Sequence, residues 1–185
     1  KINGIDASKV RWLTIEPAAK FVALSEKRAD AVPDYTTGQP FWEKAVGKEN
    51  LVRMPWSEYG FETYSMSIFA SEKTMKERGK VLRDFLEASY MGWRDVMADP
   101  KAALEIFKKR VPDIDLALIE PNLMLGLALL RTDRYAKNGI GFIDRGKMCR
   151  TVEFINTYMP DMPRKVECDE AWSGEFLTRI DLPRR

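Results

Sequence analysis

The stretch Lys27–Phe41, KRADAVPDYTTGQPF, decides how the rest of the chain is read. Ala29, Asp30, Ala31 and Val32 form a short strand-like run, Pro33 to Gly38 make a polar turn, and Pro40 opens a helix. In an open α/β sheet such a turn lies at the carboxyl end of a strand, where backbone donors and helix N-termini face a crevice that binds ligands. Asp34, Tyr35, Thr36 and Thr37 are therefore the first candidate binding surface. The same residue types favour turns for purely local reasons, so a simple connection accounts for them equally well.

Upstream, Val10, Trp12, Leu13 and Ile15 carry a strand pattern, and Pro17 begins a helix with Phe21 and Leu24 on its apolar face. Strand, helix and strand in so short a span predict a βαβ unit with a parallel sheet. Downstream, Phe41, Trp42, Ala45 and Val46 predict a short helix ending at Gly47, while Leu51–Met54 and the alternating Tyr64, Met66 and Ile68 predict strands.

From Ser71, a predicted N-cap, the pattern turns helical. Leu82, Phe85, Leu86, Trp93, Val96 and Met97 recur at three- and four-residue steps, and Gly92 interrupts that face as if to let another backbone approach. Trp12, Phe85 and Trp93 are expected in the core. Asp99 with Pro100 caps the next helix, and Asp113 or Asp115 starts a third, in which Pro121 marks a kink or a second start. Arg131–Gly141 reads as a loop, Asp144 caps a helix with Val152 and Ile155 inward, and Met159–Val166, with Pro160 and Pro163, reads as irregular. A short helix around Phe176 and Leu177 precedes the basic end at Pro183, Arg184 and Arg185.

The balance of 30 basic against 28 acidic residues leaves a net charge of +2, which argues against a general nucleic-acid binder. Lys73, Lys76, Arg78, Lys80 and Arg83 read as a solvated helix face. The chain has no histidine, which removes histidine-dependent triads and the commonest metal ligand. Its two cysteines, Cys149 and Cys168, lack zinc spacing; a disulfide and two free buried thiols are both open. The most apolar run, Leu123–Leu130, is far shorter than the roughly 20 residues of a spanning helix, so soluble material is expected. Starting at Lys1 without a methionine or signal-like segment, the sequence is expected to lack its original N-terminus.

Several segments in order, GIDASKVRWL, KRADAV, WSEYGFETYSMSIFAS, FLEASYMGWRDVMADPKAALEIF and GFIDRGKMCRTVEFIN followed by SGEFL, together resemble the substrate-binding proteins of ABC importers. The similarity is to the branch that takes up sulfonates, nitrate-like anions and thiamine-precursor pyrimidines, and the last two segments are most similar to its thiamine-pyrimidine subgroup. It spans essentially the whole chain. One departure is the pair Arg28 and Ala29, where the family usually carries a glycine before the strand.

The resemblance implies an α/β, type II periplasmic-binding-protein-like fold, present in part. Residues 1–55 would belong to the second lobe, 56–64 to the hinge crossing, and 65–185 to the mostly helical end of the first lobe. It implies capture of a small nutrient, a thiamine-precursor pyrimidine or similar nitrogen heterocycle, and delivery to a membrane permease. The protein would be periplasmic or an extracytoplasmic lipoprotein, without cofactor or metal. Ligand-binding residues would be Asp34, Tyr35, Thr36, Thr37, Glu58 and Tyr59, with Trp56, Ser57 and Gly60 in the hinge. Asp34 would accept from a ligand amine and Tyr35 would stack on a flat ring. A plain connection with two buried aromatics accounts equally well for Trp56–Gly60.

A pyridoxal-phosphate-dependent pyrimidine synthase of the same superfamily is the alternative, disfavoured because the histidine and cysteine cluster of those enzymes is missing here. A ligand-sensing effector module is another. The carboxylate pairs Glu58 with Glu62 and Asp133 with Asp144 read as solvated surface. Apolar area left open by an absent half would be covered by a homodimer.

Overall fold

The computed structural model describes residues 3–159 and 161–183. Lys1, Pro160 and the basic end at Arg184 and Arg185 lie outside the described residues. The chain divides into two compact units, Lys1–Phe61 with Asp113–Gly126, and Glu62–Pro112 with Leu127–Arg185.

Among the described residues there is no strand, and this overturns the α/β, type II periplasmic-binding-protein-like fold. Val10 and Leu51, which open two of the predicted strands, do run extended, at φ −91° and ψ 120° and at φ −99° and ψ 112°. What is missing is a second backbone alongside. An extended segment has no internal partners for its N–H and C=O groups and becomes a strand only across a ladder, and the runs at Val10–Ile15, Ala29–Val32, Leu51–Met54 and Tyr64–Ile68 form none. Trp12 illustrates the consequence, standing 81% exposed where core burial was expected.

In the first unit, α1 (Lys20–Ser25) follows a 3₁₀ turn over Pro17–Ala19, and α2 (Gln39–Val46) follows one over Thr36–Gly38. The two helices pack through Phe21 and Trp42, whose rings stack with centroids 4.0 Å apart at 22°. Ala23 and Trp42 are the buried side chains of these two helices.

In the second unit, α3 (Glu72–Ala98) begins on the Ser71 hydroxyl, which accepts from the Thr74 N–H at 3.1 Å. It kinks at Arg78, next to Gly79, where the Phe176 ring comes within 2.8 Å of the place a Cβ would occupy. Asp99 then caps α4 (Pro100–Arg110), as its Asp-Pro pair predicts. Helix α5 (Leu116–Leu130), which belongs to the first unit as far as Gly126 and to the second from Leu127, carries Pro121 inside it. The stretch read as a loop contains a sixth helix, α6 (Asp133–Asn138), capped by Thr132. Asp144 caps α7 (Arg145–Tyr158), accepting from the Lys147 N–H at 2.7 Å.

Among the described residues, Met97, Leu104, Leu127, Ile140, Val152, Phe176 and Ile180 are the buried side chains of this unit. Phe85 and Trp93 do not join them, because α3 turns Leu82, Leu86 and Met97 inward instead. Gly141, at φ +84°, lets the Tyr90 ring approach to 2.5 Å from its missing Cβ, a fit no other residue permits. The helix expected around Phe176 and Leu177 is a turn; a 3₁₀ turn forms at Cys168–Glu170.

That 3₁₀ turn is fastened to α7. Cys149 and Cys168 are joined in a disulfide across 19 residues, resolving the choice between bonded and free thiols. Asn156 donates to the Val166 carbonyl at 2.8 Å and accepts from its N–H at 3.0 Å. Arg145 donates two bonds of 2.9 Å to Asp169 and holds that carboxyl below its ordinary range.

Two outcomes are expected. Reducing the disulfide, or replacing Cys149 and Cys168 by serine, should destabilise the second unit by about 3 kcal/mol, the chain-entropy value for a loop of this size. Thermal unfolding with and without reductant measures it. On the alkaline side, burial raises the Tyr90 hydroxyl, and burial followed by the Tyr64 phenolate raises that of Tyr135. The folded state therefore holds these protons more tightly than the unfolded chain. The stabilisation is complete below the ordinary tyrosine value and disappears as pH climbs through the raised ones. Tyrosinate absorbance and helical circular dichroism, followed together above pH ~10, should show Tyr90 and Tyr135 ionising as helix is lost.

Candidate ligand-binding site

The turn over Pro33–Gly38 is braced from three helices. Lys20 of α1 donates to the Pro33 carbonyl at 2.9 Å. Asn122 of α5 donates to the Thr37 carbonyl at 2.7 Å, and the Thr37 methyl lies 3.7 Å from the position a Cβ would take on Gly126. The indole N–H of Trp42, in α2, donates to Asp34 Oδ2, while the Tyr35 N–H donates to Asp34 Oδ1 at 2.8 Å.

Both oxygens of Asp34 are thus engaged, one by the turn's own backbone and one by α2, and its carboxylate organises the loop. Gly38 completes the arrangement, since a Cβ there would meet Asp34 Oδ2 at 2.9 Å. Tyr35 is held differently. Its backbone is extended and opens the 3₁₀ turn, and its side chain stands 59% exposed. Thr36 is exposed beside it and Thr37 half-buried. The bracing residues Lys20, Trp42 and Asn122 were invisible as site components in the sequence. Trp42 alone left a signal, eight residues after Asp34, because a buried indole needs an acceptor for its N–H.

The second predicted cluster is a 3₁₀ turn, Trp56–Tyr59, closed by Gly60 at φ 84° and ψ 7°. That left-handed conformation suits glycine, whose lack of a Cβ removes the steric cost. Phe61 donates its N–H to the Trp56 carbonyl at 3.0 Å, and the two rings sit 5.5 Å apart. Trp56, Ser57, Glu58 and Tyr59 are all exposed, and the division between the two units falls between Phe61 and Glu62. Among the described residues no hydrogen bond, ion pair or ring contact joins this turn to the one at Asp34–Thr37.

The carboxylate pairs do not form catalytic dyads. Glu62 pairs with Lys147 at 3.3 Å, and that lysine, only 15% exposed at its side chain, also lies 4.7 Å over the Tyr64 ring. Asp144 serves α7 as its cap, and its own N–H donates to the Tyr64 hydroxyl at 2.8 Å. Among the described residues no group of three or more Cys, Asp or Glu side chains is placed to hold a metal ion. An open groove of about 550 Å³ lies between Met97, Arg131, Asp133, Asp181 and Leu182 of the second unit. Another of about 560 Å³ runs between α7 and Lys165–Cys168. Neither contains a residue expected in the site.

The family model described as NMT1/THI5 like matches residues 1–103, more than half of the chain, and the chain belongs to that family. It is also similar to the riboflavin-binding protein RibY of Chloroflexus aurantiacus, at 24% identity over 158 residues. That alignment takes in 84% of this chain, while the chain spans 44% of the relative's length. No solved structure shows a significant match. Among the described residues no helix is long and apolar enough to cross a membrane.

The bracing of the turn is testable by itself. Trp42→Phe keeps the stacking on Phe21 but removes the N–H, leaving Asp34 without one of its donors. A cost of about 1.5–3 kcal/mol is expected for a hydrogen bond to a charged group. Asp34→Ala should cost a similar amount, and the double variant little more than either alone. Denaturant titrations of the three variants provide the cycle.

Proposed function

We propose that the chain is part of a solute-binding protein that captures a small, flat, nitrogen-containing heterocycle and hands it to a membrane permease. Family membership and the name of the Chloroflexus relative support a binding protein rather than an enzyme. The structural observation that carries the proposal is Tyr35. A phenol ring held out to solvent by a turn that three helices brace is a stacking platform whose position is fixed before the ligand arrives.

In this proposal Tyr35 contacts the ring of the ligand, Thr36 and Thr37 offer hydroxyls of either polarity, and Asp34 positions the turn. Glu58 and Tyr59 contribute from the second turn. Trp56, Ser57 and Gly60 act as a hinge in the 56–64 crossing between the segments at 1–55 and 65–185, with Gly60 absorbing the backbone rotation. The ligand class includes thiamine-precursor pyrimidines, and the flavin named for the relative is a larger member of the same flat, nitrogen-rich chemistry. The Cys149–Cys168 bond supports an extracytoplasmic setting, because disulfides persist in oxidising compartments.

Binding should be sought by calorimetry on the longest natural form of the protein, with riboflavin, an aminopyrimidine thiamine precursor, an alkyl sulfonate and nitrate as probes. Saturable binding of a heterocycle, weakened about tenfold or more by Tyr35→Ala with an unchanged melting temperature, is the expected result. Exclusive binding of sulfonate or nitrate, or a Tyr35→Ala variant that binds as tightly as the parent, would remove the stacking role.

A further inference from the structure

The polarity of the turn that carries Tyr35 follows from which of its hydrogen-bonding groups are already in use. Its acceptors are. The Pro33 carbonyl accepts from the Lys20 ammonium at 2.9 Å and the Tyr35 carbonyl from the Gly38 N–H at 2.9 Å. The Thr36 carbonyl accepts from the Gln39 N–H, and that of Thr37 from the Asn122 amide at 2.7 Å. The Asp34 carboxylate takes the Tyr35 N–H on one oxygen and the Trp42 indole on the other. A ligand amine meeting this turn finds each of these acceptors holding a donor from the chain itself.

The charged donor at the turn is in the opposite condition. A lysine ammonium has three N–H groups and no acceptor, and Lys20 directs one of them to a neutral carbonyl. Among the described residues it forms no ion pair with a carboxylate. Its anchor, Pro33, is two residues from Tyr35, so the two Cα atoms lie within about 8 Å of each other. The ammonium and the exposed ring therefore belong to one patch.

We propose that Lys20 is a specificity-determining residue: it donates to a ring carbonyl of the ligand, so the turn prefers heterocycles with an oxo or cyclic-imide edge over those with an amino edge. This rests on the stacking role of Tyr35 set out above and narrows the ligand class. Oxo and amino rings of one size are nearly the same shape and stack alike, so Tyr35 does not separate them. Their edges do. A pyrimidinedione presents two acceptors flanking a donor, which suits the N–H groups that Lys20 has left. A diaminopyrimidine presents two donors flanking an acceptor, and it brings them to occupied oxygens beside a positive charge. The hydroxyls of Thr36 and Thr37 turn to suit either. A polar group that loses its water without gaining a partner is penalised, which makes such an edge selective.

The test is calorimetry on the longest natural form of the protein with two matched probes, uracil and its diamino counterpart, at a pH where the diamine is uncharged. Uracil should bind at least about tenfold more tightly, as expected for a hydrogen bond from a charged group. Lys20→Met should bring the two affinities together by weakening uracil, and Lys20→Arg should keep the preference. Lys20 also braces the turn, so a purely structural role would weaken both probes alike and leave their ratio unchanged. That unchanged ratio, equal affinities in the parent, or a parent that prefers the diamine would each overturn the assignment while Tyr35 keeps its stacking role. A parent that binds neither probe overturns it as well, and riboflavin with Tyr35→Ala then shows whether the stacking role falls too.

Discussion

Every backbone N–H and C=O removed from water must find a partner, and among the described residues of this chain the helices alone meet that requirement from within. An α-helix satisfies all but its end groups internally, and the ends here are closed by side chains: Ser71 for α3, Asp99 for α4, Thr132 for α6 and Asp144 for α7. The extended runs have no such internal solution. Where they are fixed, other groups fix them one contact at a time, as Asn156 does for Val166 and Tyr64 for the start of α7.

The turn at Pro33–Gly38 shows how a polar loop becomes a defined surface. Its carbonyls at Pro33 and Thr37 accept from Lys20 and Asn122, and Asp34 gathers the Tyr35 N–H and the Trp42 indole onto one carboxylate. Satisfied inward, the loop has one large group left to present outward, the ring of Tyr35. Rigidity matters for recognition because a side chain already held in place loses less freedom when a ligand arrives. The carboxylate that sequence alone offers as the ligand's partner is, in the fold, the piece that holds the aromatic partner still.

The second unit spends its charged residues in a comparable way. Arg145 and Lys147 of α7 pair with Asp169 and with Glu62 and the Tyr64 ring, and Arg164 pairs with Glu170 in the 3₁₀ turn that the disulfide ties to α7. Exposed ion pairs contribute little separately. Beside a covalent link they choose the orientation of a segment that is already confined, which is why an irregular tail can pack reproducibly along a helix.

The capping residues Ser71, Asp99 and Asp144, the proline at the start of α4 and the glycine ending α2 were legible in the sequence, because a cap is decided within three or four residues. Family membership was legible as well, carried by segments in fixed order. The strands were not. Val10–Ile15 and Ala29–Val32 have the composition of strands, but a strand exists only when a second backbone lies beside it, and no local pattern supplies that neighbour. The burial of Phe85 and Trp93 was misjudged for a related reason: periodicity finds an apolar face without saying whether anything covers it. By itself, then, the sequence determined the capped starts of α3, α4 and α7, the end of α2 and the place of the turn, which depend on near neighbours, while α6 and the non-helical segment at Phe176 escaped it. Only the tertiary structure decided the pairing of Cys149 with Cys168, the engagement of Asp34 by Trp42 and the exposure of Tyr35, because each depends on which distant groups the folded chain brings within reach.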